Sequence, residues 1–437
     1  MEKIQPRTLP GFMELLPSEQ IVFNEIKDKI RKSYEKFGFL PLDTPIIEDA
    51  EVLLAKAGGE TEKQIYRFNK GENDLALRFD LTVPLAKYVS EYYGSLSFPF
   101  KRYQIGKVYR GEKAQAGRYR EFYQCDIDVI GDGELSIMYD AEMPCVIYNT
   151  FKELGFDKFT IHINNRKILN GIFNEIGNTD KATEILRIID KLEKIGEKEV
   201  QKELKEIEIN ENSINTIMNF IKINGTNQEK IETLKNLGIK NEVFNKGLEE
   251  LENVINHIKI SGVPENNIEV DLTIARGLDY YTGTVYETFL DDYKKLGSVC
   301  SGGRYENLAE YYTDRKLPGV GISIGLTRFF YQANKEGLIN SENKSIAKVL
   351  VIPMTDKIEK CMEVATKLRE TGINTEIYLE DKKIKSKFKY ADKLNIPYTI
   401  VMGDDEIATD QITLKDMNTG KQKTTTLEEV IKIVRQH

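Results

Sequence analysis

The residues best suited to chemistry in this 437-residue chain fall in two adjoining runs. The first is Tyr109-Arg110-Gly111-Glu112. After a short loop comes Gly117-Arg118-Tyr119-Arg120-Glu121-Phe122-Tyr123-Gln124-Cys125-Asp126-Ile127-Asp128. On an extended backbone, side chains two apart point the same way, so Phe122, Gln124, Asp126 and Asp128 share one face. Arg110 and Glu112 share a face of the preceding strand on the same rule. A sheet face carrying Arg, Glu, Phe, Gln and Asp is a polar binding floor rather than a core. The competing reading is a solvated hairpin with charge pairs, which are common at surfaces.

Three further runs combine glycine with arginine or tyrosine: Ala275-Arg276-Gly277-Leu278-Asp279-Tyr280-Tyr281-Thr282-Gly283-Thr284-Val285-Tyr286-Glu287, Cys300-Ser301-Gly302-Gly303-Arg304-Tyr305, and Gly319-Val320-Gly321-Ile322-Ser323-Ile324-Gly325-Leu326-Thr327-Arg328. Glycines let a backbone approach a ligand closely, and an arginine beside them suits a phosphate or a purine face. Singly, each also reads as a Gly-rich turn with a surface arginine. None matches the dinucleotide or P-loop fingerprint.

The elements that must position these runs are legible in outline. Apolar residues at Ile21, Ile26, Ile30, Tyr34 and Phe37 predict an amphipathic helix over 18–37, capped by Ser18. Leu40 to Pro45 reads as a short edge strand bounded by prolines. From about 98 to 131 the chain reads as two strands joined by a charged loop. Between about 166 and 265, Lys, Glu, Ile, Leu and Asn dominate with helical periodicity, which indicates a helical module set into the core. Strand-like, Gly-rich text returns from Asp271 to about Phe330. A polar stretch, Asn334 to Lys344, reads as a linker. Val349–Pro353, Thr375–Leu379 and Tyr398–Gly403 then alternate with helical patterns, as in a separate small α/β domain.

Composition bounds the function. Four scattered cysteines (Cys125, Cys145, Cys300, Cys361) lack the paired spacing of a zinc site or a disulfide framework. Three histidines, His162, His257 and His437, are far apart, which disfavours a His-based metal centre or a Ser–His–Asp hydrolase. A net charge of −8 leaves any nucleic-acid contact to local patches. No apolar stretch is long enough for a membrane span, and the N-terminal residues lack a secretory signal, so a cytoplasmic location is expected.

Taken with Leu77-Arg78-Phe79-Asp80-Leu81-Thr82-Val83-Pro84, these runs resemble the signature set of the histidyl-tRNA synthetases, a family of class II aminoacyl-tRNA synthetases. The resemblance covers essentially the whole chain. The Arg-Gly-Leu-Asp-Tyr-Tyr and Ser-Gly-Gly-Arg-Tyr runs are specific to this family and one regulatory offshoot; the other arginine runs mark class II more broadly. It implies an α+β fold: a class II catalytic core at 1–332 with an antiparallel sheet flanked by helices and a helical insertion at about 166–265. A linker at 333–346 and a C-terminal α/β anticodon-binding domain at 347–437 follow. It implies ATP-dependent activation of L-histidine, transfer to the 3′ end of tRNA(His), Mg2+ arriving with ATP, no protein-held metal, and a homodimer formed through the Pro41–Pro45 region.

Residue by residue, the resemblance places Arg110 against the ATP α-phosphate and the histidine carboxylate. Glu112 falls at the adenine amino edge, with Phe122 and Arg328 on the two adenine faces and Arg118 also in the ATP-binding set. Asp80, Thr82 and Gln124 would take the α-ammonium, with Leu81 between the first two in the histidine-binding set. Asp128, with Tyr280 or Tyr281, would recognise the imidazole. Arg276 would stabilise charge on the α-phosphate, with Arg110 as its catalytic companion. Lys383, Lys385, Lys387 and Lys389 would meet tRNA; by itself that run also reads as a solvated lysine-rich helix face. Two departures stand out: Asp80 replaces the Glu of some bacterial members, and Lys113-Ala114-Gln115-Ala116 lacks the proline common at that loop tip. The rival reading is a paralogous regulatory subunit of ATP phosphoribosyltransferase. That branch usually lacks the C-terminal domain and the catalytic arginines, which this chain has. A non-catalytic relative with a degenerate site is disfavoured by the same arginines.

Overall fold

A computed structural model describes residues 3–55, 60–113, 117–189, 191–274, 281–306, 309–339, 342 and 344–436. They divide into two compact units, one built mainly from residues 26–335 and the other mainly from 336–437. The first holds an eight-stranded sheet. In chain order its strands are β1 (Leu40–Pro41), β2 (Phe100–Tyr109), β3 (Glu121–Ile130), β4 (Phe159–Asn165), β5 (Ile268–Val270), β6 (Thr284–Leu290), β7 (Cys300–Tyr305) and β8 (Gly319–Ile324). Their spatial order is β1-β2-β3-β8-β7-β6-β4-β5. The six central strands are antiparallel, and only the edge pairs β1/β2 and β4/β5 are parallel.

Alternation along β3 divides the sheet. Cys125, Ile127 and Val129 are fully buried on one face, where helices α1 (Pro17–Lys36) and α3 (Met138–Glu153) contribute Ile30, Tyr34, Met143, Val146, Ile147 and Phe151. Burying each such side chain contributes about 1.5–3 kcal/mol. The Tyr34 hydroxyl donates to the Cys125 carbonyl at 3.0 Å, and Ser33 and Thr150 share a buried hydroxyl bond at 2.7 Å. The other face carries the polar side chains. Helix α2 (Thr82–Glu91) follows directly on the Leu77–Leu81 segment.

The first helix differs at its start from the sequence reading. It begins at Pro17, and Ser18 lies within the first turn. The Leu16 N–H donates to the Glu19 carboxylate at 3.1 Å, while Pro17 has no N–H to satisfy at the first helical position. The edge strand is also shorter than expected, two residues against six. Prolines 41 and 45 confine its pairing.

A helical segment from α4 (Arg166–Glu175) to α5 (Glu242–Ile260) connects β4 with its parallel neighbour β5. Its two ends are clamped together: Lys167 pairs with Glu250 at 2.6 Å, and the Asn165 amide donates to the same carboxylate at 2.9 Å. The helix α6 (Leu326–Lys335) follows β8 directly.

The second unit is a five-stranded sheet of β9 (Val349–Pro353), β10 (Thr375–Ile377), β11 (Tyr398–Met402), β12 (Ile412–Asp416) and β13 (Gln422–Thr425), in spatial order β10-β9-β11-β12-β13. Three strands are parallel, as the alternation predicts, and an antiparallel hairpin, β12/β13, extends them. Helix α7 (Ile384–Lys393) carries the lysine-rich run. No helix among the described residues is long and apolar enough to cross a membrane.

Candidate active site

A cavity of about 450 Å³ opens over the polar face of the first sheet, within the size range of small-molecule sites. The register of the strands builds its floor. Gln104, Asp126, Ser323, Ser301, Glu287, His162 and Glu269 are successive cross-strand partners from β2 to β5, so they form one row on one face. The middle of that row, Asp126, Ser323, Ser301 and Glu287, lines the cavity.

Into this cavity the fold brings nine of the residues singled out in the sequence: Asp80, Thr82, Arg110, Glu112, Arg118, Phe122, Gln124, Tyr281 and Arg328. They come from five separate runs. Arg110 and Glu112 do not share a strand face, because β2 ends at Tyr109. Both lie in the loop beyond it, where the Arg110 N–H still pairs with the Arg120 carbonyl at 2.9 Å. The Arg110 guanidinium is 4.4 Å from the Phe79 ring centre and 5.0 Å from that of Phe122, and its Nε donates to the Phe79 carbonyl at 3.2 Å. Two aromatic faces thus fix this cation in place.

Asp80 is 7% exposed. Its Oδ1 accepts from the N–H groups of Thr82 and Val83 at 3.2 and 2.9 Å, which caps α2. Burial raises its pKa above the usual carboxylate value, against those bonds and the Arg110 charge. Leu81 is fully buried and does not line the cavity; its carbonyl faces the Arg102 guanidinium at 3.4 Å. The Gln124 amide donates to Ser323 at 2.9 Å. At the opposite end, Arg118 lies 3.7 Å from Glu112, and Arg328 donates to the Leu296 carbonyl at 3.1 Å. Burial, with the nearby Arg118 charge, lowers the Arg328 pKa, as expected where two guanidiniums approach each other in a partly buried place.

Asp128 sits differently from the sequence reading. Its carboxylate does not line the cavity. One oxygen accepts the Tyr305 hydroxyl at 2.8 Å and the other pairs with the fully buried Arg102 at 2.5 Å. It lies in space that only glycine could leave open: a Cβ on its cross-strand partner Gly321 would fall 2.2 Å from Asp128 Oδ1. Arg304 also turns away from the cavity, into a buried pair with Asp140. Arg276 and Tyr280 lie outside the described residues, as does the loop tip Ala114-Gln115-Ala116.

The sequence reading put Asp126 on the right face and gave it no role. Arg102 was missed altogether; it stands in the Phe100–Tyr109 strand with two other charged residues, Lys101 and Lys107, and nothing local marks it as the one that is fully buried. Gln332 also lines the cavity, four residues after Arg328 on α6 and therefore on the same helix face. Among the described residues, no cluster of three His, Cys, Asp or Glu could hold a metal ion.

In the second unit Lys383, Lys385 and Lys389 are exposed. Lys387 is not: it is 6% exposed and its ammonium donates to the Pro353 carbonyl at 2.8 Å. It faces inward because α7 turns that side toward β9.

An antiparallel floor with this cavity, followed by a small α/β unit, has the architecture of the class II aminoacyl-tRNA synthetases, ligases that use ATP. The family model for histidyl-tRNA synthetase matches residues 11–329, and that for the anticodon-binding domain matches 348–437. A histidine–tRNA ligase of Clostridium tetani is 61% identical over 99% of this chain and 98% of the relative. The crystal structure of histidyl-tRNA synthetase from Nostoc sp. PCC 7120 superposes with a TM-score of 0.91 at 41% identity, covering 99% of this chain and 100% of that one. An ATP phosphoribosyltransferase regulatory subunit/histidyl-tRNA synthetase from Bacillus halodurans shares the fold alone, with a TM-score of 0.75 at 21% identity over 89% of this chain and 97% of that one. The chain belongs to the histidyl-tRNA synthetase family and is an aminoacyl-tRNA ligase for histidine, not the regulatory offshoot.

Proposed function

We propose that the cavity over β3 holds ATP and histidine end to end, with each residue acting as follows. Phe122 stacks on adenine, Arg328 covers the opposite face and Glu112 takes the amino edge. Arg118 and Arg110 meet the phosphates, and Arg110 also holds the histidine carboxylate. Asp80, Thr82 and Gln124 take the α-ammonium, and Tyr281 and Tyr280 flank the imidazole. Leu81 contributes through its place in the Asp80–Thr82 turn. Asp128 acts from one layer below, through Tyr305 and Arg102.

The observation that carries this reading is the spacing on β3. Phe122, Gln124 and Asp126 all line one cavity, and two steps of two residues span about 13 Å. That length matches a nucleotide head, a phosphate and an amino acid laid along the strand. The chemistry then needs no side-chain nucleophile. The histidine carboxylate attacks the α-phosphate, and positioning with charge stabilisation does the rest. Arg276 supplies a fixed cation for the developing charge, a role worth about 3–4 kcal/mol for one well-placed donor.

Mg2+ would arrive on the nucleotide. The cavity wall carries four carboxylates, Asp80, Glu112, Asp126 and Glu287, but no cluster of three among the described residues, which suits an ion that keeps its own waters and binds mainly to phosphate. Its contribution is to neutralise phosphate charge. The division of labour follows the chain: residues 1–332, with the insertion at 166–265, activate and transfer; 333–346 link; 347–437 read the anticodon. There, Lys383, Lys385 and Lys389 neutralise tRNA phosphates. The protein works as a homodimer in the cytoplasm.

The experiment is ATP–pyrophosphate exchange run with each of the twenty amino acids. Exchange with histidine alone is expected. Exchange with another amino acid, or with none, overturns the reading.

A further inference from the structure

The chain between β5 and β6 has to pass from one side of another strand to the other. β4 lies between those two, parallel to β5 and antiparallel to β6, so the connection at 271–283 links them across its C-terminal end. This connection carries the Arg-Gly-Leu-Asp-Tyr-Tyr run. Residues 275–280 lie outside the described residues, but both flanks are described.

The end of β4 holds both flanks. Before the 275–280 span, the Asp271 N–H donates to the Ile163 carbonyl at 3.0 Å, and the Asn164 amide donates to the Ile274 carbonyl at 3.1 Å. After it, Arg166 donates twice: its backbone N–H to the Gly283 carbonyl at 2.9 Å, and Nη1 to the Tyr281 carbonyl at 3.0 Å. Asn164 is fully buried, Arg166 is 9% exposed, and neither lines the cavity. The Asn164 amide is fixed at its other end too, where Oδ1 accepts the Asn165 N–H at 2.8 Å. Asn165 and Lys167 turn instead to Glu250 of α5, so the start of α4 is also held from the insertion.

We propose that Arg166, with Asn164, is a positioning residue for histidine activation: from the end of β4 the two side chains pin the flanks of the 275–280 span and so keep Arg276 in register with the cavity. The assignment rests on the role given above to Arg276 and deepens it. A chain fixed at both ends samples fewer arrangements. A cation aimed at developing charge stabilises it best when it is already in place, and a misplacement of about 1 Å can cost on the order of a hundredfold in rate. Arginine suits the task, since its bond to the Tyr281 carbonyl is charge-assisted and its guanidinium stays protonated even when buried.

The test uses the full chain and histidine-dependent ATP–pyrophosphate exchange, with rates taken per folded molecule and the folded fraction read from urea unfolding. Arg166→Met keeps the apolar stem and removes the donor; we expect kcat to fall at least about tenfold with the KM for ATP within about twofold. The second arm combines Arg166→Met with Arg276→Ala. If Arg166 acts through Arg276, the double variant should stay within about twofold of Arg276→Ala alone, because residues that act as a unit are not additive. Losses that multiply overturn the proposal, and so does a wild-type kcat in Arg166→Met or a parallel rise in the KM values for histidine and ATP, which would mean a disturbed sheet. Should Arg166→Met not fold, Arg166→Gln, with its shorter polar side chain, takes its place in the same cycle. Near-normal exchange in Arg276→Ala alone would instead overturn the role of Arg276 on which the assignment rests.

Discussion

Arg304 and Asp140 meet in the interior at 2.6 Å between Nη2 and Oδ1, although 164 positions separate them in the chain. Arg304 Nε approaches both oxygens of the same carboxylate at 3.0 and 3.1 Å, and the Thr284 hydroxyl donates to Oδ2 at 2.6 Å. The arginine of the Ser-Gly-Gly-Arg-Tyr run thus joins β7 to α3. Its guanidinium faces that carboxylate rather than the cavity.

Removing one partner of such a pair leaves a buried charge alone. Arg304→Met should cost about 3–5 kcal/mol of stability, measured by urea unfolding. The double variant Arg304→Met/Asp140→Leu should recover much of that loss, because it removes both desolvated charges. A single variant within about 1 kcal/mol of wild type would show that the pair does not hold the two elements together.

Asp126 gives stability a pH dependence with a definite sign. Its folded-state pKa lies at about 7, above the ordinary 3.8, because of burial. The folded protein therefore holds this proton more tightly than the unfolded chain does. The contribution is fully present below the ordinary value and is lost as pH rises through about 7. In Asp126→Asn that loss cannot occur. Without ligands, the variant should match wild type below about pH 3.8, draw ahead as pH rises toward about 7, and be more stable by about 1–3 kcal/mol at pH 8. Thermal melts across that range decide it; a constant offset at all pH values would mean that Asp126 does not titrate there.

How far the sequence reached depended on whether a feature is set by local periodicity or by distant partners. The face shared by Phe122, Gln124, Asp126 and Asp128 follows from strand alternation, and it reappears as the wall of the cavity. Which of the two aspartates meets the cavity does not follow from alternation. It depends on Arg102, Tyr305 and the missing side chain at Gly321, which arrive from three other strands. Lys387 is similar: the lysine run is visible, but only the packing of α7 on β9 decides that one lysine in it turns inward. The hairpin β12/β13 was not foreseen, as its strands are mostly polar and its turn is marked only by Asn418-Thr419-Gly420.

The lysine run therefore divides into two kinds of residue. Lys385→Ala and Lys389→Ala should weaken tRNA charging and each reduce the salt slope of tRNA binding by about 1. Lys387→Ala should leave the Pro353 carbonyl without its buried donor and lower stability by about 1–3 kcal/mol. Histidine-dependent exchange should remain unchanged in all three. Equal effects of the three substitutions on the salt slope would contradict the burial of Lys387.

For Arg276, the expectation comes from chemistry. Arg276→Ala should fold and bind histidine and ATP nearly normally, yet lose at least about tenfold in histidine-dependent pyrophosphate exchange, the signature of an interaction made mainly in the transition state. Near-normal exchange in that variant would remove its assigned role.

Gly303 makes a prediction about the floor under Tyr281. A Cβ at Gly303 would fall 2.8 Å from the Thr284 carbonyl oxygen and 2.9 Å from the Tyr281 ring. The first contact is with backbone locked by the β6/β7 pairing, where Gly303 faces Val285. The second contact is with a side chain rather than backbone, and Tyr281 lines the cavity. Gly303→Ala should therefore push Tyr281 into the space we propose for the imidazole. We expect the histidine KM to rise about tenfold or more while the ATP KM changes less than about twofold. The variant should also lose about 1–3 kcal/mol of stability from overpacking. If Gly303→Ala loses stability but keeps its histidine KM, the ring has another way to yield and Tyr281 does not bound the histidine site.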